Sequence, residues 1–431
     1  MTEVYLFLEI LLALYSLAQF ANGKLKAVEL PVLMAVTFAV WVLPQFIALY
    51  LSKEIPHQML DKALLMSLLC LGAAYLGYRW PRRSFNFFEM SLSRARLEQG
   101  VFVLFLFAGS FYVLLNCLPV EMLEESQWVG LPVVYLFLAK NLGVCAMIAL
   151  FLSQDKSAKF SWKMKLVLTG GSIYYFSFIF LMGRRAETLE AILLVLCMLW
   201  FRRRIQPSRI VIVSAGVVFM FFFSAIAQYR AAVVRFSGER RQWSDVLDID
   251  FIKSFRELLM TSGGGEMKNC AVLIDAIDRH SSFDFGFSIY NDLIQNFVPR
   301  QFVGQRVKQA LSIEFESALD LAYRDSGFTP WNGTSLGGMT DAFGSFWYFG
   351  CFEFFLIGWF MRKLYLGSMR GWFSSQVAYA LFLTPALHSI THSTFYIVTE
   401  IIHVTLFMGP VVWYARKKYA DLNEGSLVVT R

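Results

Sequence analysis

Five arginines and a handful of acid–base residues stand where apolar runs of this sequence meet polar ones. Gly183-Arg184-Arg185-Ala186-Glu187 separates two apolar runs, Arg230 leaves the next, and Arg300 and Arg306 follow in the long polar stretch behind it. A guanidinium presents a planar fork of N–H donors that grips phosphate oxygens two at a time and stays charged when partly desolvated. Arg184, Arg185, Arg230, Arg300 and Arg306 are therefore a candidate set for a phosphate or pyrophosphate held at membrane depth. The plainer alternative is snorkelling side chains paired with acids such as Glu187, Glu239 or Asp245. Asp341, within Gly337-Gly338-Met339-Thr340-Asp341-Ala342-Phe343-Gly344, precedes a further apolar run. It is a candidate general base, or else a helix N-terminal cap.

His388 and His392 are spaced i, i+4 near the end of one apolar run, and Glu400 and His403 lie in the next. Ionisable groups inside such runs are costly, so each asks for a role. No HExxH motif or dense carboxylate cluster accompanies them, and no metal ligand set is expected. A hydrogen-bonded network between the last two helices is the bland reading; a base or phosphate contact, with His388 as the candidate, is the sharper one. No glycine-rich phosphate cradle is present, so no nucleotide cofactor is expected either. Trp331, Trp347 and Tyr348 offer flat faces suited to sugar rings, although interfacial anchoring explains them as well.

The elements that position these residues follow from composition. Of 431 residues, 57% are hydrophobic and 16% charged, which is too apolar for a soluble globular domain. The formal charge of +7 clusters at the ends of apolar runs, where membrane orientation accounts for it, and nucleic acid is set aside as a partner. Cys70, Cys117, Cys145, Cys197 and Cys351 fall in apolar runs and Cys270 stands alone, so no disulfide or metal framework is legible and buried small hydrophobes are expected. A helix needs about 20 apolar residues to cross the hydrocarbon. Runs near 4–22, 28–51, 63–80, 100–119, 132–153, 166–183, 188–202, 210–228, 344–362, 375–393 and 396–415 meet that demand. The expected fold is all-α and polytopic, with about 11 transmembrane helices; the last two runs, tightly joined, leave a re-entrant hairpin open. The first run carries Glu9 and lacks a basic leader, so a retained helix is expected rather than a cleaved signal.

Every odd-numbered run ends in a basic cluster, from Lys24 and Lys26 to Arg416, Lys417 and Lys418, whereas Glu121, Glu124 and Glu125 follow the fourth run. The positive-inside rule then places the N-terminus outside and the C-terminus in the cytoplasm. Three regions result: residues 1–228 with about eight helices, a large extracytoplasmic loop over 229–343, and 344–431 with the remaining helices and a cytoplasmic tail. The loop carries 12 Lys and Arg against 15 Asp and Glu and is too long for a connector. Amphipathic helices are expected near 270–277 and 309–322. No internal repeat is visible.

Four stretches then resemble one family, the bacterial oligosaccharide repeat-unit polymerases, which include the O-antigen polymerases and the polymerase of enterobacterial common antigen. Met182-Gly183-Arg184-Arg185-Ala186-Glu187 is similar to the family's glycine-rich turn with an arginine before a helix. Gln228-Tyr229-Arg230 resembles its basic exit into the large loop. Phe297-Val298-Pro299-Arg300, with Gly304-Gln305-Arg306 behind it, resembles a loop segment of that family. The run from Thr334 to Gly350, ending Phe346-Trp347-Tyr348-Phe349-Gly350, resembles the family's lead-in to the following span.

The resemblance implies an inner-membrane glycosyltransferase. Its donor is a growing glycan on undecaprenyl pyrophosphate and its acceptor a lipid-linked repeat unit; the bilayer is a further partner, and a chain-length regulator on the loop is left open. A hydroxyl of the acceptor attacks the donor's anomeric carbon while the lipid pyrophosphate departs. Arg185, Arg230 and Arg300, with Arg184 and Arg306, are the implied clamp, and Asp341 or His388 the implied base. Rival readings are a transporter or flippase of lipid-linked oligosaccharide, disfavoured by the lack of a two-fold repeat, and an O-antigen ligase.

Overall fold

Long apolar runs without alternation satisfy their backbone groups in lipid only as helices. A computed structural model describes residues 1–118, 130–155, 159–205, 249–253, 265–298, 300–330 and 334–416, together with residues 208, 211, 214 and 229. Among the described residues every regular element is helical, apart from an isolated bridge between Leu92 and Arg416. In chain order they are α1 (Thr2–Ala21), α2 (Leu30–Ser52), α3 (His57–Arg79), α4 (Arg94–Asn116), α5 (Leu131–Ser153), α6 (Trp162–Phe176), α7 (Arg185–Met198) and α8 (Gly265–His280). Four short helices follow: α9 (Phe287–Phe297), α10 (Arg300–Val303), α11 (Gln305–Leu311) and α12 (Ala318–Ser326). Last come α13 (Gly338–Phe346), α14 (Cys351–Met369), α15 (Phe373–Thr391) and α16 (Phe395–Ala415).

Among the described residues seven segments are long and apolar enough to cross a membrane: α1, α2, α3, α4, α5, the continuous run Gly338–Met369, and α16. Helices α6, α7 and α15 coincide with three more of the expected runs but are not among the seven. α6 and α7 have 15 and 14 residues and each runs on into a five-residue π-helical segment, Ser177–Leu181 and Leu199–Arg203, while α15 carries Ser374, Ser375, Gln376, Thr384, His388, Ser389 and Thr391. Most of the eighth run, Arg230 and Trp331 lie outside the described residues. Helices α15 and α16 are separate, joined by His392–Thr394.

Packing divides the chain into two units. One comprises the described residues of Met1–Ser84, Arg256–Lys363 and Pro385–Ile402; the other those of Phe85–Phe255, Leu364–Thr384 and His403–Arg431. These units cut across the sequence divisions at 229 and 343.

At the heart of the first unit lies α8, which covers the amphipathic stretch expected at 270–277. Met267, Cys270, Ala271, Leu273, Ile274 and Ala276 have no exposed surface, and even Asn269 and Asp275 are buried. Its polar groups are spent on partners far away in sequence. Trp41 Nε1 donates to Glu266 at 2.6 Å, the Met267 N–H donates to Gln45 at 3.2 Å, and Lys62 Nζ reaches Asp275 at 2.9 Å and Asp278 at 2.5 Å. Burial also pushes the Cys270 thiol up to about 12, which makes it a packing residue rather than a nucleophile. The helix expected over 309–322 is instead broken. α11 ends at Leu311, and Ser317 opens α12 with a capping box to Asp320, since two orphan donors are satisfied there at once.

Helices α3 and α14 meet backbone to backbone. A Cβ on Gly77 would stand 2.0 Å from Phe355 O, and one on Gly358 would stand 2.1 Å from Ala74 O. Small residues that let helices approach this closely are the membrane counterpart of a hydrophobic core. In the second unit, α4 is fastened at its N-terminus, where the Ser93 N–H donates to Ala415 O at 2.8 Å and Arg94 pairs with Glu98 and Asp155.

Candidate functional site

The glycine-rich run from Thr334 to Gly350 is positioned from both sides within the first unit. Asn269 Nδ2 on α8 donates to Thr334 Oγ1 and to Ser335 O, each at 2.9 Å, and the Ser335 hydroxyl donates to Thr391 O at the end of α15. A Cβ on Gly338 would stand 1.8 Å from Ser389 O, so only glycine lets α13 begin directly against the end of α15. This contact delivers Asp341, one turn into α13, to the His392–Thr394 connection. Gly337 occupies the cap position and no side chain caps the helix, so Asp341 is not the N-terminal cap.

The Asp341 carboxylate is half-buried and lies within reach of the Ser393 hydroxyl. Ser393 Oγ already accepts from the Phe395 N–H at 3.2 Å, which leaves its own O–H to donate to the acid. Sequence reasoning did not single out Ser393, because only the fold joins the two. Three further carboxylates act on Asp341: Glu353 of α14, Asp292 of α9, and Asp284. The carboxylate oxygens of Glu353 are sealed from solvent and face the hydroxyls of Ser345 and Thr394. Outside the helices that cross the membrane, half-burial and then the neighbouring Asp284 raise the Asp292 carboxyl above its usual value. This grouping of acids makes Asp341 the candidate for proton transfer.

His388 and His392 do come together as expected. Their ring centroids are 5.1 Å apart, Tyr396 closes the cluster at 5.7 Å from each, and Thr391 Oγ1 lies 2.7 Å from His392 Nδ1. Ser393 follows His392 directly, so Asp341 and the histidines share the end of α15. Glu400 is buried in the first unit; His403, in the second, packs its ring on Phe137 at 4.6 Å. Among the described residues no group of three or more His, Cys, Asp or Glu could hold a metal ion.

The arginines divide between the units. In the second, Gly183 takes a positive φ of 59°, a turn that glycine makes without steric cost. Arg184 then precedes α7, lies 5.0 Å over the Phe178 ring, and pairs with Glu187 at 3.3 Å, the pairing that the plainer reading anticipates. Arg185 opens α7 half-buried, where the helix N-terminus adds its own preference for anions. In the first unit, Arg300 opens α10 and Arg306 stands second in α11, both exposed. α9, which faces Asp341 through Asp292, is stitched to α11 by Lys308 Nζ donating to Gln295 O at 2.9 Å.

A second charged cluster on the same unit ties α8 to α12. Arg279 bridges Asp275 at 2.8 Å and Asp325 at 3.1 Å, and His280 Nε2 lies 2.9 Å from Asp325. The His280 hydrogen bond, helped by Arg279 and Arg324, holds the Asp325 carboxyl below its ordinary range. A depressed folded value means that this stabilisation is complete above the ordinary carboxylate value of about 4 and is lost as pH falls through the lower folded one. The expected result is a melting temperature that drops more steeply below about pH 4 in wild type than in Asp325→Asn, read by scanning fluorimetry in detergent; parallel curves would exclude the coupling.

The chain matches no family model, no curated protein and no solved structure.

Proposed function

We propose that this chain is a polymerase of lipid-linked oligosaccharide repeat units, a glycosyltransferase of the bacterial inner membrane working on its outer face. In this reading about 11 spans carry the chain from an outside N-terminus to a cytoplasmic C-terminus, and residues 229–343 face outward. The observation that supports it most is Asp341, a half-buried acid steadied by Ser393 and set among further acids.

The chemistry runs as follows. Asp341 accepts the proton of an acceptor hydroxyl as that oxygen bonds to the donor's anomeric carbon. The bond from that carbon to the undecaprenyl pyrophosphate oxygen breaks, and the leaving group carries the electron pair away. Arginine charge stabilises the departing pyrophosphate, chiefly Arg185 at the α7 N-terminus and Arg300, with Arg306, Arg184 and Arg230 as further members of the clamp. His388 is the alternative base.

The test is deletion of the gene in its own host, with surface polysaccharide run beside wild type and an Arg185→Ala complement. Expected are a lipid core capped by a single repeat unit on deletion, and no restored ladder with Arg185→Ala at normal membrane levels. An unchanged ladder on deletion would overturn the polymerase reading. Loss even of the single-unit band would point to a flippase or ligase instead.

A further inference from the structure

The helices between Asp284 and Ile313 are amphipathic, and the described residues leave much of their apolar surface uncovered. Neither α9 nor α11 has a single buried residue, although Phe287, Tyr290, Val303, Val307 and Leu311 are large and apolar. With 11 residues at most, none of these helices crosses a bilayer. Their depth is set at the point of departure. The Asp284 N–H donates to Gly344 O at 2.9 Å, and the Phe285 ring meets Phe346 at 6.4 Å. Directly after Phe346 come Trp347 and Phe349, both exposed, at the head of α14. Exposed aromatic residues flanking an apolar span mark the headgroup level of a membrane.

Charge points the same way. Arg300, Arg306 and Lys308 outnumber Asp292 over α9–α11. The guanidinium groups of Arg300 and Arg306 have no ion-pair partner among the described residues. Short helices with an apolar face and basic residues at the edge lie in the plane of an anionic interface, apolar side down. We infer that α9–α11 form a membrane-surface element that rests on the anionic phospholipid of the leaflet into which α14 opens. The inference needs only the membrane-spanning fold, so it stands or falls apart from the polymerase reading.

Val307 and Gln309 are about 200° apart around α11 and report the two faces. Full-length Val307→Cys and Gln309→Cys proteins, each in a Cys117→Ser background, are spin-labelled and placed in nanodiscs of phosphatidylcholine with or without phosphatidylglycerol. The unsubstituted Cys117→Ser protein supplies the blank. In anionic discs the label at 307 is expected to favour oxygen over a nickel chelate as relaxant, and the label at 309 to show the reverse preference. Adding Arg306→Glu should move the label at 307 toward nickel in anionic discs alone. Nickel access at 307 in both disc types would overturn the inference. Exclusion of both relaxants there would also overturn it, since protein rather than lipid would then cover the face. Equal behaviour with and without phosphatidylglycerol would remove the anionic surface as the partner.

Discussion

Gly358→Val is expected to leave almost no folded protein. The new Cβ would start 2.1 Å from Ala74 O, 2.9 Å from Tyr78 N and 3.0 Å from Ala74 C, all backbone atoms of α3. No rotamer relieves a clash with backbone. The helices must part, and the reciprocal contact of Gly77 with Phe355 O is lost in the same movement. Losses of about 4 kcal/mol or more belong to such core disruptions, set against total stabilities of about 5–15 kcal/mol. The measurement is monodispersity and melting temperature in detergent after expression at matched levels. Gly109→Ala is the control, because a Cβ there meets nothing within 4 Å and the change should be neutral. Similar behaviour of the two variants would mean that α3 and α14 do not touch as described.

Asp341→Asn is expected to abolish polymer without unfolding the protein. Asparagine keeps the shape of the acid and an oxygen for the Ser393 hydroxyl but cannot take up a proton. Loss of a general base costs about 10²–10⁴-fold in rate, enough to erase a ladder on a gel. Gly338 and its contact with Ser389 are untouched, so the melting temperature should stay at the wild-type value or rise slightly as one acid leaves the pocket. A ladder of normal length from Asp341→Asn would remove Asp341 as the base and shift attention to His388, whose Asn variant is then the one to compare.

How far the sequence revealed this architecture depends on where each residue's partners lie. Helices α1 to α5 could be read directly, because one apolar stretch of spanning length announces itself without a neighbour. α15 was read as a span like the others, yet its serines, threonines and His388 dilute the apolar run and it is not among the seven. The glycines and the apolar run around Asp341 were legible, although the run begins at Gly338 and so includes Asp341 rather than following it, whereas Ser393 was not, because the turn that brings it there joins helices distant from α13 in the chain. Burial of α8 was legible only in its amphipathic stretch and at Cys270, not at its charged positions. Its Asp275 and Glu266 read as solvent-seeking charges until Lys62 and Trp41, more than 200 positions earlier, are seen to satisfy them. The Arg184–Glu187 pair is the opposite case, local at i, i+3 and open to anticipation.

The deep seat of α8 also imposes a timetable on biogenesis. Trp41 and Lys62 precede their partners on α8 by 225 and 213 residues. At a synthesis rate of about 5–20 residues per second, the first three helices wait about 10–40 s in the bilayer before α8 emerges. Throughout that interval Lys62 is a charge at the membrane without its acids, and the grooves that will receive α8 are open to other nascent segments. A ribosome stalled before Gly265 therefore releases an incomplete bundle with an unfilled centre, the kind of substrate that membrane proteases remove, rather than a smaller stable protein.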